Sequence, residues 1–377
     1  MNIYSDIRII PVKTRNEINS FINFPYTLYR DEKNWVPPLR ITQKSLFNAE
    51  HIFWKKNKNQ FFLAMKNGSC AGRIVAFVNN QHNIHFNTTD GFFGFLEAHD
   101  DPAIFDALLD AAIDFLKQNK CNKIIGPMNP DIHNELGTLV QGFETPGYIM
   151  LTYNFNYYDL SIQQCGFNKL RDFYSYKMNE PQYHSSPKME RVQKQLLDKY
   201  AIRLRTPDMK NFKQELEYFN AIYNDAFRDH WGFVPISKDE FFSLAKDMKS
   251  IIDPRMVLIA EYKDDPIAFL LSLPNINEIL VTIRNGRLLP TGIFKLLWGK
   301  KNIGSIRVIT AAVKKKYERL GIGALLYPEL MRRALQFGYT TGELSWIVED
   351  NVQMNSIAKQ LAGAPYKTYR IYSKQIT

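Results

Sequence analysis

The sequence predicts an α/β fold that contains two copies of one unit. A hairpin pattern at Phe62–Phe77 returns at Val257–Leu271. A glycine followed by a tyrosine-rich strand also occurs twice, at Gly166 and Gly363. In each case the second copy follows the first by roughly 196 residues. Each copy alternates strands with helices, which is typical of mixed sheets flanked by helices.

Turn residues and hydrophobic periodicity place the main elements of each copy. The first hairpin has its turn at Asn67-Gly68, and the second is predicted to turn at Asp264-Asp265. Apolar residues recur with a helical period at Ala103–Asn119 and again at Gly323–Phe337. The matching order of elements supports a duplication.

The length of 377 residues suggests two domains. The boundary is predicted near Asn179–Lys188, where prolines and serines interrupt the pattern, and a polar helix at Met189–Lys199 follows. The predicted domains are therefore residues 1–180 and 188–377.

Composition narrows the class of protein. The three cysteines lie far apart in the sequence, which argues against a disulfide framework and a zinc site. The start lacks the pattern of a secretory signal, and no apolar run reaches transmembrane length, so a cytoplasmic protein is expected. The net charge of +10 is concentrated at Arg284–Arg319, which holds ten Lys or Arg and one acid. Such a field attracts anionic ligands or membranes.

The most informative segment is a strand, a glycine turn and a helix. The strand is predicted at Ile306–Val313, and Gly321 and Gly323 precede the helix. Glycines let the backbone approach a ligand, and the first amides of a helix are unpaired at the positive end of its dipole. Lys314–Lys316 and Arg319 add positive charge. The segment therefore predicts a pyrophosphate site.

The frame Glu318–Gly323 resembles the phosphate motif of the GNAT superfamily of acyl-CoA N-acyltransferases, Gln/Arg-x-x-Gly-x-Gly/Ala, with Glu318 at the first position. The segment Asn355–Gly363 is similar to a second family segment, in which Ala362 replaces a tyrosine that often protonates the thiolate. The resemblance implies acyl-CoA as the acyl donor. The cofactor-binding residues that it implies are Ala311, Val313, Arg319, Leu320, Gly321, Ile322, Gly323, Ala324 and Asn355.

The resemblance covers nearly the whole chain. Segments such as Asn34–Pro38, Gly126–Pro130 and Ser345–Asp350 are similar to a bacterial family of tandem GNAT proteins, and the chain also resembles bacterial ceramide synthases. At the place of the glycine turn, the first copy has Glu97–Pro102, whose acids would repel a phosphate. The expected organisation is a degenerate GNAT-like domain without a coenzyme A motif, followed by a GNAT domain that has one.

Amide formation from a thioester requires a base for the amine and a proton for the leaving thiolate. Glu349, with Asp350 beside it, follows a strand predicted at Gly342–Val348 and is the predicted base. The alternative is that these acids only cap the next helix. Tyr366 and Tyr369 are candidates for the missing acid, with burial in the core as the alternative.

A polar loop in the first half is a candidate substrate site. It contains Asn129, His133, Asn134 and Glu135, and the alternative is that these side chains only fix the loop. The other predicted substrate residues are Tyr153 and Trp231. No metal site is expected, because the ligand spacing is absent.

Residues Ile276–Gly304 form an apolar segment with interleaved cations. We expect contact with a membrane surface or a roof over an acyl channel, and an ordinary pair of core helices is the alternative.

The preferred function is acyl-CoA-dependent transfer of an acetyl or longer acyl group to a small-molecule or lipid amine by direct attack. The alternatives are a non-catalytic tandem module that binds acyl-CoA or a partner, and an aminoacyl-tRNA-dependent transferase. No nucleic acid is expected for the preferred function. The acceptor, the acyl length and the oligomeric state stay open.

Overall fold

The computed structural model describes residues 6–179 and 187–376, which form two compact units. The first unit contains residues 6–173, 277–301 and 367–376, and the second contains the remaining described residues. Residues 180–186, where the sequence places the domain boundary, lie outside the described residues. Within the described ranges, no helix is long and apolar enough to cross a bilayer.

Strands account for much of both units. They are, in chain order, β1 (Ile7–Pro11), β2 (Lys58–Lys66), β3 (Ser69–Val78), β4 (Asp90–Ala98), β5 (Lys123–Gly126), β6 (Met128–Asn129), β7 (Glu135–Leu136), β8 (Thr138–Gln141), β9 (Asn168–Asn179), β10 (Arg203–Arg205), β11 (Val257–Tyr262), β12 (Asp265–Pro274), β13 (Ser305–Val313), β14 (Thr341–Val348) and β15 (Lys367–Gln375).

Helices alternate with these strands. They are α1 (Arg15–Leu28), α2 (Arg40–Leu46), α3 (Ile52–Lys56), α4 (Asn80–Phe86), α5 (Pro102–Gln118), α6 (Tyr157–Gln164), α7 (Pro187–Tyr200), α8 (Phe212–Phe227), α9 (Lys238–Met248), α10 (Asn277–Leu280), α11 (Gly292–Gly299), α12 (Gly323–Gln336) and α13 (Val352–Ala362).

The first unit is built on a mixed sheet with the strand order β1-β2-β3-β4-β5-β15, and β8 also pairs with β15. Neighbours are antiparallel except for β4 and β5, which are parallel. Helix α5 lies on this sheet, since Leu108 and Leu116 are fully buried in one core with Phe93. Asp101 caps α5 by accepting the amide of Ala103, and Pro102 supplies a preset first turn.

The second unit repeats the arrangement, with the order β14-β13-β12-β11-β10 and β9 next to β14. Here β13 and β14 are the parallel pair. The apolar face of α8, with Phe219 and Ile222, packs on Ile259 and Phe269 of the sheet. The predicted α/β fold with mixed sheets is therefore confirmed, and equivalent strands and helices follow in the same order in both halves of the chain.

The first hairpin turns at Asn67-Gly68 as predicted, and both residues have positive φ. The second turn lies one residue earlier than the sequence predicts. Positive φ falls on Lys263 and Asp264, and β12 already begins at Asp265. The sequence offered no glycine to mark the left-handed positions, so the acidic pair alone was misleading.

Two segments pack against the unit that precedes them in the chain. Strand β15 pairs antiparallel with β5 of the first unit, although it closes the second repeat of the sequence. Residues 277–301 also belong to the first unit, where Arg284 donates to the carbonyls of Trp35 and Glu32. A single cut near residue 180 therefore does not reproduce the compact units.

Strand β15 is fixed in the first unit by an ion pair. Arg370 donates to both carboxylate oxygens of Asp172, at 2.8 and 3.1 Å, and Lys169 contacts the same carboxylate at 2.8 Å. Burial raises the pKa of Asp172, but the hydrogen bonds from Arg370 and Lys169 outweigh it, so the pKa lies below its usual value.

We expect Arg370→Met to lower the free energy of unfolding by about 2 kcal/mol, because it removes two charged hydrogen bonds from a nearly buried carboxylate. Urea denaturation measures the change. A folded-state pKa below 3.8 stabilises the fold above that pH, so the difference from wild type should shrink as the pH falls through the folded-state value. Lys55→Met, which removes an exposed pair with Glu50, is the control and should cost under about 1 kcal/mol. Equal losses in both variants would contradict this role.

Candidate functional site

The parallel strands β13 and β14 separate after a short pairing. Only Ser305–Val308 pairs with Thr341–Leu344. Residues 310–313 of β13 stay paired with β12 on their other edge, down to Val313 opposite Ala268, and Ile309 lies at a shift in the register. Over the described residues, the edge of 309–313 that faces away from β12 has no strand partner. Its amides and carbonyls can therefore pair with an extended ligand.

The chain leaves β13 through the glycine turn. Residues Lys315–Leu320 form a 3-10 helix, and Gly321 ends it with φ of 71°. A Cβ placed on Gly321 would meet no atom within 4 Å, so the turn is open to solvent. The positive φ explains why a glycine stands there.

Helix α12 begins at Gly323 and has no side-chain cap. The amide of Ala324 donates to Gly321 and that of Leu325 to Ile322, whereas the amides of Ile322 and Gly323 donate to no acceptor in the described part of the chain. A helix of 14 residues presents the positive end of its dipole at this point. The turn and the helix together form a site for an anion.

Two of the predicted cations are paired. Lys314 contacts Asp265 at 2.9 Å, and Lys315 contacts Glu318 at 3.1 Å and Asp229 at 3.4 Å. These are surface ion pairs, which are weak and can be exchanged for a phosphate. Lys316 and Arg319 are exposed. The positive field predicted from the sequence is therefore present, but part of it is balanced within the protein.

Residues at the end of α8, which the sequence did not single out, flank the loop. The carboxylate of Asp225 accepts the amide of Lys315 at 2.7 Å, although the two residues are 90 positions apart. Burial lowers the pKa of His230 below its usual value, and the charge of Lys315 lowers it further, so the imidazole is neutral at pH 7. An open cleft of about 710 Å³ lies here, lined by Asp225, Arg228, Asp265 and residues 314–317.

Asn355 organises the end of β14. Its amide nitrogen donates to the carbonyls of Val348, at 2.9 Å, and Glu349, at 3.3 Å, and its oxygen accepts the hydroxyl of Tyr176 at 2.9 Å. The side chain is 6% exposed, so it holds the strand end and is not turned to a ligand. Asn351 caps α13, and Glu349 is half-buried in the turn between strand and helix.

A buried polar network crosses the paired part of β13 and β14. Glu343 is fully buried and accepts the hydroxyls of Ser345, at 2.5 Å, and of Tyr366. Arg307 lies 3% exposed and donates to Ser345 at 2.9 Å. The register sets Arg307 opposite Glu343. The sequence does not predict this network, whose members come from two strands and from the residue before a third.

The two candidate tyrosines fall in different units. Tyr366 is half-buried in the second unit, where its amide donates to Ser175 and its hydroxyl to Glu343. Tyr369 is completely buried in the first unit, opposite Leu139 of β8. Tyr369 is therefore a core residue, which was the alternative to a role as the acid. Its hydroxyl has no exposed surface and cannot contact a substrate.

The first unit has an equivalent parallel pair, but its gap is filled. Strands β4 and β5 pair only over Asp90–Phe92. Beyond that point, Asn129 accepts the amide of Phe95 at 2.6 Å, and a Cβ on Gly94 would lie 1.8 Å from the carbonyl of Met128. The protein therefore occupies the edge that stays open in the second unit.

The acids of the first unit are also engaged within the protein. Asp101 caps α5 and contacts Lys66 at 2.6 Å, so the start of this helix already carries a carboxylate. Glu97 accepts the hydroxyls of Tyr29, at 2.5 Å, and Tyr158, at 2.8 Å. Neither arrangement leaves room for a phosphate.

The predicted substrate residues are spread over both units. In the first, Asn134 donates to Asp131 at 2.7 Å, which fixes the loop, and Glu135 pairs with Asn129 between β7 and β6. Tyr153 packs on Tyr29 with ring centroids 6.1 Å apart. Trp231 is half-buried in the second unit. In the part of the chain that the structure describes, no group of acids, histidines or cysteines could hold a metal.

Two proteins of known sequence are similar to the chain over nearly its full length. Protein YghO of Escherichia coli K12 is 35% identical over 96% of this chain and 94% of its own. The bacterial ceramide synthase of Caulobacter vibrioides is 34% identical over 99% of this chain and 98% of its own. No family model matches the sequence.

Solved structures show the same fold at low identity. A tandem GNAT protein from the clavulanic acid biosynthesis pathway superposes with a TM-score of 0.57 over 99% of both chains, at 10% identity. A GCN5-related N-acetyltransferase from Sphaerobacter thermophilus superposes with a TM-score of 0.56 over 100% of this chain and 97% of that one, at 11% identity. The tandem fold that the resemblance implied is confirmed.

Asn355→Ala should lower the free energy of unfolding by about 2 kcal/mol, because it leaves the buried hydroxyl of Tyr176 without its acceptor and removes one of the two donors to the carbonyl of Val348. Gln353→Ala, at an exposed position of the same helix, is the control and should change it by less than about 0.5 kcal/mol. Chemical denaturation of both variants measures the difference. A negligible effect of Asn355→Ala would show that water replaces the network.

Proposed function

The chain belongs to the tandem GNAT acyltransferases and to the family of the bacterial ceramide synthase, and from this premise we propose that it is an acyl-CoA-dependent N-acyltransferase. The observation that supports this proposal most strongly is the open edge of β13, which is followed, after the 3-10 helix and Gly321, by the uncapped start of α12. An extended thiol ester with a diphosphate at one end matches an open strand edge that ends at an anion site.

The diphosphate of coenzyme A would occupy the glycine turn. The amides of Ile322 and Gly323 would donate to its oxygens, and the dipole of α12 would favour its charge. Lys316 and Arg319 would neutralise further phosphate charge. Glu318, which contacts Lys315 at 3.1 Å, holds this lysine at the loop rather than opposing the phosphate.

The pantetheine arm would lie along residues 309–313. Its amides would pair with the free backbone edge of β13 beside Ala311 and Val313, as an added strand does. Because β13 and β14 run parallel, their carboxyl ends lie at the same edge of the sheet. That edge is the diphosphate end of the open stretch 309–313, so the thioester would reach toward the point beyond Val308 and Leu344 where the two strands part. Glu349, which follows β14, is proposed as the base from its place in the sequence.

The reaction needs only displacement at an activated carbonyl. The amine nitrogen attacks the thioester carbon, the carbon–sulfur bond breaks, and an amide and a free thiol result. Glu349 would accept the proton that the attacking nitrogen loses, directly or through water. The thiolate takes up one proton, for which Tyr366 is the candidate donor in the second unit, in place of the tyrosine that Ala362 replaces. Buried Glu343, to which the Tyr366 hydroxyl donates, would orient it.

A lipid amine is the proposed acceptor. The relative from Caulobacter vibrioides carries the name ceramide synthase, and a ceramide is the amide of a long-chain amino alcohol and a fatty acid. We therefore propose a long-chain acyl donor and a primary amine on a long-chain acceptor. The first unit would bind no coenzyme A, since Asn129 fills its strand gap and Asp101 caps its helix.

The donor site can be tested with two matched glycines. Gly321 and Gly338 both have positive φ and open space at the Cβ, so Gly321→Ala and Gly338→Ala should each cost about 1 kcal/mol of stability. Only Gly321→Ala should weaken the binding of coenzyme A, by about tenfold or more, because it alone adds a methyl group at the proposed phosphate site. Calorimetry and thermal shift give both quantities.

The donor proposal fails if coenzyme A and acyl-CoAs leave the melting temperature of the wild type unchanged. It also fails if the two alanine variants bind coenzyme A equally well. Binding without turnover on any amine would instead support the non-catalytic module, and stimulation by charged tRNA would support the aminoacyl-tRNA-dependent transferase.

Glu349→Gln should lower kcat/KM by about a hundredfold or more while coenzyme A still binds, because the amide cannot take up a proton. Asp350→Asn, at the neighbouring exposed position, is the control and should stay within about threefold of wild type. Release of free thiol from a long-chain acyl-CoA, with a long-chain amino alcohol as acceptor, measures the rates. Rates at high pH provide a further check, since the deprotonated amine needs less help and the defect of Glu349→Gln should diminish. Unchanged turnover would remove Glu349 as the base.

A further inference from the structure

Helix α11 of the first unit exposes an apolar stripe. Phe294, Leu297 and Trp298 are 53%, 57% and 74% exposed, and Leu289, just before the helix, is 76% exposed. The spacing of the three helical residues places them on one face. We call these four residues the α11 face. An exposed apolar group of this size is unusual for a protein surface that meets only water.

The α11 face is held in place by the rest of the unit. The ammonium group of Lys295 donates to the carbonyl of Thr282 at 2.8 Å, and a Cβ on Gly299 would lie 2.8 Å from Ile279 of α10. Ile279 and Ile283 supply the buried side of the segment. The helix is thus packed on one side, and its largest apolar side chains point the other way into solvent.

Positive charge surrounds the stripe. Residues 277–304 contain Arg284, Arg287, Lys295, Lys300 and Lys301, against the single acid Glu278. Arg287 and Lys301 are exposed. Apolar side chains with cations at their border are typical of segments that lie in the headgroup layer of an anionic membrane.

A second element of the same unit continues the surface. The amide of Arg40, at the start of α2, donates to Gly286 at 2.8 Å, and its guanidinium donates to Asn285 at 2.7 Å. The next residue, Ile41, is 65% exposed. An exposed apolar residue of α2 therefore follows directly after a residue that is hydrogen-bonded to the segment carrying the α11 face.

We propose that the α11 face seats the protein on an anionic membrane surface, with its apolar side chains in the headgroup layer and Arg287 and Lys301 at lipid phosphates. A second copy of the chain is the less favourable occupant. A two-fold symmetric contact would bring two identical cationic borders together, and like charges repel. An anionic bilayer complements both the charge and the apolar stripe, and this inference does not depend on the acyl transfer.

Vesicle flotation tests the proposal directly. The full-length protein should float with phosphatidylcholine vesicles that contain about one third phosphatidylglycerol, and much less with phosphatidylcholine alone. The double variant Leu297→Ser/Trp298→Ser should reduce the bound fraction about tenfold or more, because two large apolar side chains no longer enter the bilayer. Ile84→Ser, at an apolar residue of α4 that is 81% exposed, is the matched control and should bind as wild type.

Tryptophan fluorescence and reversal of the charge of Arg287 and Lys301 provide two independent tests of membrane binding. Trp298 is exposed whereas Trp35 and Trp54 are buried, so anionic vesicles should shift the emission of the wild type to shorter wavelength, and Trp298→Phe should lose the shift while still floating. Arg287→Glu/Lys301→Glu should weaken binding and its dependence on salt.

Three results would overturn the proposal. They are no flotation of the wild type, equal flotation of the Leu297→Ser/Trp298→Ser variant, and a wild-type dimer in sedimentation that this variant turns into a monomer. The last result would assign the α11 face to a second copy of the chain.

Discussion

The short parallel pairing of β13 with β14 is the constraint from which the candidate site follows. Four residue pairs hold the strands together, and the strands then part. Because β13 keeps its hydrogen bonds to β12 beyond this point, the freed edge remains extended, and the chain enters the glycine turn from a fixed strand end. Buried Arg307 and Glu343 lie at the paired part, so polar contacts reinforce the pairing that opens the gap. The open edge of residues 309–313 therefore results from the pairing of the strands and not from the position of a mobile loop.

The two units share the same arrangement of strands and helices, but only the second leaves backbone groups open for a ligand. Both have a parallel pair that separates after a few residues, followed in the second unit by Gly321 and in the first by Asp101. In the first unit, the side chain of Asn129 takes the place that a ligand amide would have, and the carboxylate of Asp101 takes the place of an anion at a helix start. The same unpaired backbone groups are thus satisfied internally in one unit and left for a ligand in the other.

Local chemistry explains which features the sequence could predict. The Asn67-Gly68 turn, the helix predicted at Ala103–Asn119 and the glycine turn before α12 depend on neighbouring residues, and the structure has them. The packing of β15 beside β5 depends on pairing between distant strands, about which a single sequence says nothing. The sequence gives no reason to prefer Tyr366 or Tyr369 as the acid. In the structure β15 begins between them, so that Tyr366 belongs to the second unit and Tyr369 to the first.

The buried polar residues were the hardest to assign from the sequence, and for one physical reason. A carboxylate or amide inside a protein must find partners, and those partners come from remote segments. Asn355 was predicted at a cofactor, but Tyr176 and the end of β14 use its side chain. Asn355 contributes to the site by holding the backbone carbonyl of Glu349. It thereby fixes the backbone position from which the Glu349 side chain extends. A residue of this kind can be essential to catalysis without touching the substrate, because the position of the proposed base depends on it.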